Sequence, residues 1–295
     1  MNNVLITGAN GFVGTHLIKR FVNDGIQVHA IIRANSNVDS IKNDCILHVH
    51  DGTTENMFEI IKGIKPELVV HLAASFNKNE HMYNNIDSLI KTNISFGVQL
   101  VQSMVMNNVK YMINTGTSWQ HYEDRDYNPI CLYSATKQAF QDILKYYTEA
   151  TELRVLTLKL FHTYGPNDRR NKLFCQLRNA IKENTILNMT PGEQLIDIVY
   201  IDDVIKAYKI ASDRLEEKKG LKMEEFIVSS GKHISLKKLV RTYYGIMNED
   251  EKINWGGNKY RPREEMKPYT NGAILPKWKP QVMLEQGIRI MEGLL

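Results

Sequence analysis

The sequence is poor in cysteine. Its 295 residues include three, Cys45, Cys131 and Cys175, an odd number, far apart and never in Cys-x-x-Cys spacing. That argues against a disulfide framework and against a zinc site, so no metal is expected and a reducing cytoplasm is the expected setting. No apolar run approaches the roughly 20 residues that cross a bilayer. The opening Met1-Asn2-Asn3 lacks the basic stretch and apolar core of a signal peptide. Charge of one sign is not concentrated either: 37 Lys and Arg against 33 Asp and Glu leave a net +4, with no polybasic block or aromatic-basic interleaving. Neither nucleic acid nor a membrane is an expected partner. Internal repeats and low-complexity segments are missing as well. What remains, 43% hydrophobic and 24% charged residues, is the composition of an ordinary folded protein.

Against that background the first forty residues stand out. Val4-Leu5-Ile6 is a short apolar run that enters Thr7-Gly8-Ala9-Asn10-Gly11-Phe12-Val13-Gly14. Phe12, Val13, Leu17, Ile18, Phe21 and Val22 then recur at helical spacing, Asn23-Asp24-Gly25 supplies a stop, and a second strand is predicted over Gln27 to Ile32. Strand, glycine turn, helix and strand within about thirty residues is the context in which such a turn binds a dinucleotide. Gly8 permits the tight turn, Gly11 lets the backbone approach a pyrophosphate at the helix start, and Gly14 allows close helix packing. At the end of the second strand, an acid would hold the ribose hydroxyls of NAD. Arg33 stands there instead, suited to the 2'-phosphate of NADP, with a solvated surface arginine as the bland alternative.

Further apolar runs at Cys45 to Val49, Leu68 to Leu72 and Tyr111 to Asn114 alternate with helical stretches, which predicts a parallel, doubly wound α/β sheet. Asp51-Gly52 and His71-Leu72-Ala73-Ala74-Ser75 fall at strand ends, where a cofactor lies against small residues. Tyr133 and Lys137 stand at i and i+4, on one helix face, so the ammonium is expected to lower the phenol pKa and let Tyr133 exchange a proton with a substrate oxygen. Helix packing for the tyrosine and solvation for the lysine is the alternative.

In TGANGFVG from Thr7, Asp51-Gly52, HLAA from His71, TNISFG from Thr92, YSATK from Tyr133, KLFHTYGP from Lys159 and DIVYIDDV from Asp197, the chain resembles the extended short-chain dehydrogenase/reductase family along its whole length. The resemblance implies a Rossmann fold with a smaller C-terminal α/β substrate-binding lobe: residues 1–166 and a returning 195–228 for the cofactor, 167–194 and 229–295 for a nucleoside-diphosphate sugar. It implies cofactor contacts at Gly8, Asn10, Gly11, Phe12, Val13, Arg33, Asp51, Gly52, Leu72, Ala73, Ala74, Tyr133 and Lys137. Catalysis falls to Tyr133, Lys137 and a hydroxyl after the fifth strand, for which alignment favours Thr117, with Thr115 and Ser118 open and a helix cap as the alternative role. A homodimer is likewise implied.

Departures from the family pattern bear on the reaction. No carboxylate directly follows Thr117, which disfavours a 4,6-dehydratase, and Arg33 disfavours an epimerase that keeps NAD. Short stretches, including Asn114 to Gln120 and Gly165-Pro166-Asn167-Asp168, are similar to sugar-nucleotide 4-ketoreductases of the CDP-abequose and CDP-paratose synthase type. NADPH-dependent reduction of a CDP-linked 4-keto-dideoxyhexose is therefore the expectation. An NAD-dependent 4-epimerase and an inactive dinucleotide sensor are the alternatives. Ser75, Thr117, Ser118 and His162 are candidate substrate contacts, His162 standing where the family commonly has Asn. Ile196 replaces a frequent phosphate-binding arginine, so Arg169, Arg170, Lys172 or Arg263 is expected to meet the diphosphate, unless each is an ordinary solvated charge.

Overall fold

The computed structural model describes residues 1–76, 83–217 and 219–295. Strand and helix alternate from the start. β1 (Asn3–Thr7), α1 (Phe12–Asn23) and β2 (Gln27–Ile32) are followed by β3 (Ile46–Val49), α2 (Thr54–Ile64) and β4 (Leu68–His71). Then come α3 (Tyr83–Ile90), a π turn over Lys91–Ser95, α4 (Phe96–Met106), β5 (Tyr111–Thr117), α5 (Leu132–Ala150) and β6 (Arg154–Leu160). The remainder runs β7 (His162–Tyr164), α6 (Leu173–Glu183), β8 (Leu187–Met189), β9 (Leu195–Tyr200), α7 (Ile201–Glu216) and β10 (Met223–Val228). It ends in β11 (His233–Ser235), α8 (Leu236–Met247), β12 (Ile253–Trp255) and α9 (Leu284–Met291).

Seven strands form one sheet in the order β10-β6-β5-β4-β1-β2-β3, and every neighbouring pair is parallel. A parallel sheet needs helices on both faces, so its strands are apolar on both. Here Val4 and Ile6 of β1, Leu68 and Val70 of β4, and Leu156 and Leu158 of β6 join the core under α1 and α7. The alternate residues Leu5, Val69 and Val155 join the core under α2, α4 and α5. The fold is the Rossmann-type doubly wound α/β fold, with its switch point between β1 and β4, which flank the turn from one winding direction to the other.

Two smaller sheets follow, β11-β9-β7 and β12-β8. The chain returning after residue 195 does not all rejoin the large sheet. α7 packs on it and β10 pairs with β6, whereas β9 pairs with β7 and β11. β5 also runs three residues past Asn114, so Thr115 and Thr117 lie on the strand and not beyond it. Among the described residues, no helix is long and apolar enough to cross a membrane.

The tightest point of the fold is Gly8. Its φ is +68°, and a Cβ there would lie 2.6 Å from the Ala73 nitrogen and 2.8 Å from the Leu72 carbonyl carbon, so both the backbone conformation and the space exclude a side chain. Gly8→Ala is expected to cost about 2–4 kcal/mol of stability through left-handed strain and overpacking, read as a lower urea midpoint with an unchanged m-value.

Candidate active site

The ends of β1, β2, β3 and β4 place the glycine loop, Arg33, Asp51-Gly52 and Leu72-Ala73-Ala74 along the carboxyl edge of the sheet. The loop closes on itself through the Gly11 amide donating to the Gly8 carbonyl at 3.0 Å. A Cβ on Gly14 would stand 2.5 Å from the Gly8 oxygen, so α1 packs directly behind the turn. Gly11 caps α1 with extended backbone and no side chain, leaving the amides of Phe12 and Val13 at the open start of a helix. A dinucleotide pyrophosphate fits this side-chain-free turn. Asn10 donates to the Asn37 carbonyl at 3.2 Å and so joins the glycine loop to the loop after β2. Arg33 opens that second loop, exposed, in a turn closed by Ser36. The Asp51 carboxylate accepts from the Thr53 amide and hydroxyl at 2.8 and 2.7 Å, which holds its pKa down, while the Gly52 carbonyl accepts from Gln99.

Tyr133 and Lys137 lie in the first two turns of α5, whose start is closed by reciprocal bonds between Cys131 and Ser134. Lys137 is 3% exposed, and burial brings its ammonium down to about 8. Tyr133 is partly accessible at the surface, yet it is packed closely enough that burial, with the Cys131 thiol, pushes its phenol up to about 12. The sequence expectation was a phenol lowered by Lys137. Desolvation is the leading cause at both groups and disfavours both charged forms, so both are drawn toward neutrality. His71 reports the same environment: 1% exposed and near Lys137, it is lowered to about 3 by burial first and that cation second. Its Nδ1 shares a hydrogen bond with the Thr7 hydroxyl at 2.8 Å.

Asn93, quoted in the sequence only as part of TNISFG, ties these parts together. It is 1% exposed and sits in the π turn. It accepts from the Ser75 amide at 2.7 Å, donates to the Ser75 carbonyl at 3.0 Å and donates to the Thr136 hydroxyl at 2.9 Å. The loop after β4 is thereby fastened to the helix that carries Tyr133. Ser75 itself pairs its hydroxyl with Ser88.

The three candidate hydroxyls separate clearly. Thr115 is 2.7 Å from the Tyr208 hydroxyl on α7, engaged under the sheet. Thr117 ends β5 and caps the short 3-10 turn Ser118–Gln120, with the Trp119 amide a long 3.4 Å from its oxygen. Its own amide donates to Gln120 Oε1 at 3.0 Å. Gln120, fully buried, reaches on to Gln138 and Gln141 of α5 at 2.6 and 3.3 Å. Ser118 is 3% exposed.

Beyond Tyr133 the cleft is aromatic. Phe76 meets the Tyr133 ring at 5.3 Å and the Trp119 ring at 5.9 Å, and Trp119 meets His162 at 6.0 Å. Of the expected phosphate ligands, Arg263 bonds Asn128 at 2.6 Å and covers Tyr122, away from this group. Arg169 is exposed and helps hold the Asp39 carboxyl down, which puts it beside the loop after β2 and not beside the aromatic group. Arg170 is chelated by Asp168 and lies 4.4 Å over the Phe12 ring. The cation over Trp119 is Arg261, at 5.6 Å, with Arg170 and Lys172 also felt by His162. Sequence reasoning passed over Arg261, although its i, i+3 partner Glu264 was a local signal. It also passed over Glu265, a carboxylate that comes in space to Trp119 at 3.1 Å. The absence of an acid directly after Thr117 therefore does not make the cleft free of carboxylates.

The model of the NAD dependent epimerase/dehydratase family matches residues 4–224. The chain belongs to that family. It is 28% identical to CDP-abequose synthase of Salmonella muenchen over 98% of this chain and 96% of the relative. It is 23% identical to UDP-glucose 4-epimerase of Mycolicibacterium smegmatis over 96% and 95%. Among solved structures, UDP-glucose 4-epimerase of Thermotoga maritima with UDP-glucose superposes with a TM-score of 0.85 at 22% identity, over 99% of this chain and 97% of that one. UDP-glucuronic acid 4-epimerase of Bacillus cereus with UDP-glucuronic acid and NAD gives 0.84 at 23%, over 99% of each. The chain is thus a member of the NAD(P)-dependent, extended short-chain dehydrogenase/reductase type.

A depressed histidine pKa stabilises the fold above the unfolded value and loses that contribution as pH falls. With His71 at about 3 folded and near 6.5 unfolded, urea stability is expected to drop by about 2 kcal/mol between pH 7 and pH 5 from this group. His71→Asn, which keeps a donor toward Thr7, is expected to flatten that slope; an unchanged slope would contradict the assignment.

Proposed function

We propose that the chain reduces the C4 ketone of a nucleoside-diphosphate 4-keto-deoxyhexose, CDP-linked, with NADPH as co-substrate. The observation that carries the choice of reduction is Arg33, exposed at the end of β2 where an acid would select NAD; its planar guanidinium suits a 2'-phosphate. Similarity to CDP-abequose synthases over nearly the whole chain supports the CDP-linked deoxysugar. Residues 1–166 and 195–228 serve the cofactor, 167–194 and 229–295 the sugar nucleotide, and Arg261 meets the diphosphate in place of the arginine missing at Ile196.

NADPH, when bound, supplies the hydride. The chain's residues handle the oxygen. Tyr133, pushed to about 12, holds its proton at neutral pH and donates it to the developing alkoxide, while the Thr117 hydroxyl gives that oxygen a second donor. Lys137 orients the ribose and keeps the site cationic once the alkoxide forms. A 4-epimerase begins with the opposite step, removing a proton from a hydroxyl, which needs the phenolate. Arg33, which suits a dissociable NADPH more than a retained NAD, supports reduction over that reading.

Purified protein is expected to oxidise NADPH with CDP-linked 4-ketosugars, followed by the loss of nicotinamide absorbance, in a panel that includes dTDP-, GDP- and UDP-linked ketones. Isomerisation of a UDP-hexose without net cofactor use would favour the epimerase, and no turnover of any ketone would remove the reductase. Tyr133→Phe is expected to lower kcat by about 10²–10⁴ with NADPH affinity retained. Arg33→Ala is expected to weaken NADPH by about tenfold and leave NADH unchanged; equal preference in both proteins would sink the cofactor assignment.

A further inference from the structure

Glu265 takes no part in the reduction described above, yet it is placed at the sugar side of the cleft. It is 8% exposed, and its Oε2 accepts from the Trp119 indole at 3.1 Å. Trp119 lies two residues beyond Thr117, touches Phe76 and His162, and is covered by Arg261. Phe76 in turn packs on the Tyr133 ring. The carboxyl is therefore joined through Trp119 and Phe76 to the aromatic group that ends on Tyr133.

A carboxylate has about four lone-pair directions, and the indole uses one. Arg261, the cation within reach, is already bonded through Nε and Nη2 to Glu264 at 3.2 Å. Burial, with the like charges of Glu264 and Asp197, raises Glu265 to about 7 against the pull of the Trp119 bond and the Arg261 cation. The indole engages Oε2, so the carboxyl keeps acceptor capacity that a ligand hydroxyl can use.

We propose that Glu265 is a specificity-determining residue whose carboxyl, steadied by Trp119, accepts a hydroxyl of the hexose ring other than the oxygen at C4. The assignment rests on the sugar-nucleotide reading of the cleft. An acceptor fixed in a buried site selects strongly for sugars that present the matching hydroxyl, because an analogue without it leaves the acceptor unpaired. The ionised form accepts better than the neutral one, so sugar binding tightens as pH rises through about 7.

The test uses two readouts. In turnover at pH 8, Glu265→Gln is expected to raise KM for the ketosugar about tenfold with kcat within about twofold and the NADPH Kd unchanged, and the KM difference is expected to shrink at pH 6. Calorimetry of CDP and CDP-glucose at both pH values needs no turnover: the extra affinity conferred by glucose at pH 8 is expected to fall in Glu265→Gln, while CDP itself binds as before. Trp119→Phe serves as the control for a purely structural role, because it removes the indole bond and leaves the carboxyl. If the two variants shift every ligand equally, or if Glu265→Gln keeps the wild-type KM and glucose increment at pH 8, the proposal is overturned. A wild type that turns over no ketosugar removes the reductase reading, and the calorimetric arm still decides the role of Glu265.

Discussion

The site depends on one close approach of backbone to backbone, where the end of β1 meets the end of β4. Because Gly8 has no side chain, the Ala73 amide comes in close enough for the Thr7 hydroxyl to accept from it at 3.3 Å and to bond His71 at 2.8 Å. The pyrophosphate turn and the loop after β4 therefore share one reference point. From there Asn93 carries the position on to Thr136, one residue before Lys137. Hydrogen bonds of Thr7 and Asn93 thus connect the glycine turn, the loop after β4 and the helix that carries the acid-base pair.

The parts of this arrangement that were readable in the sequence are those with a local cause. Gly8, Gly11 and Gly14 announce themselves because strand, turn and helix follow within a few residues, and Tyr133 and Lys137 because helical spacing puts them on one face. The doubly wound sheet was legible for the same reason: strands buried on both faces read as continuous apolar runs. What was hidden depends on distant chain segments. Glu265 reaches Trp119 across 146 positions, and nothing near either residue forecasts it. Arg263 and Arg261 are equally basic in a linear reading, and only the packing of Tyr122 under one and Trp119 under the other separates them. The resemblance assigned the returning stretch 195–228 as a whole to the cofactor lobe, and nothing in the residues of β9 says that its hydrogen bonds go to β7 and β11.

Electrostatics shows a related limit. A lysine near a tyrosine makes the phenol more acidic only where their attraction exceeds the cost of removing both ions from water. In this cleft both are deprived of water, and His71 loses its basicity beside them. Protonation is then set by enclosure more than by neighbours, and a polar cofactor or substrate entering the cleft changes the solvation of all three together.

The polar chain behind Thr117, buried except at Glu225, carries a consequence for exchanging segments of this chain with another protein of the fold. Lys159 on β6 bonds His121 at 2.7 Å and Glu225 on β10 at 2.8 Å, Glu225 accepts from Gln141 at 2.5 Å, and Gln141 and Gln120 meet at 3.3 Å. Gln120, His121, Gln141 and Lys159 are buried while the Glu225 side chain reaches solvent, so losing the carboxylate leaves the buried Lys159 and Gln141 without the acceptor they share. These positions are constrained to change in company. A chimera that crosses over between residues 159 and 225 takes Gln120, His121, Gln141 and Lys159 from one parent and position 225 from the other, so Lys159 and Gln141 keep their acceptor only if the second parent also carries an acid there.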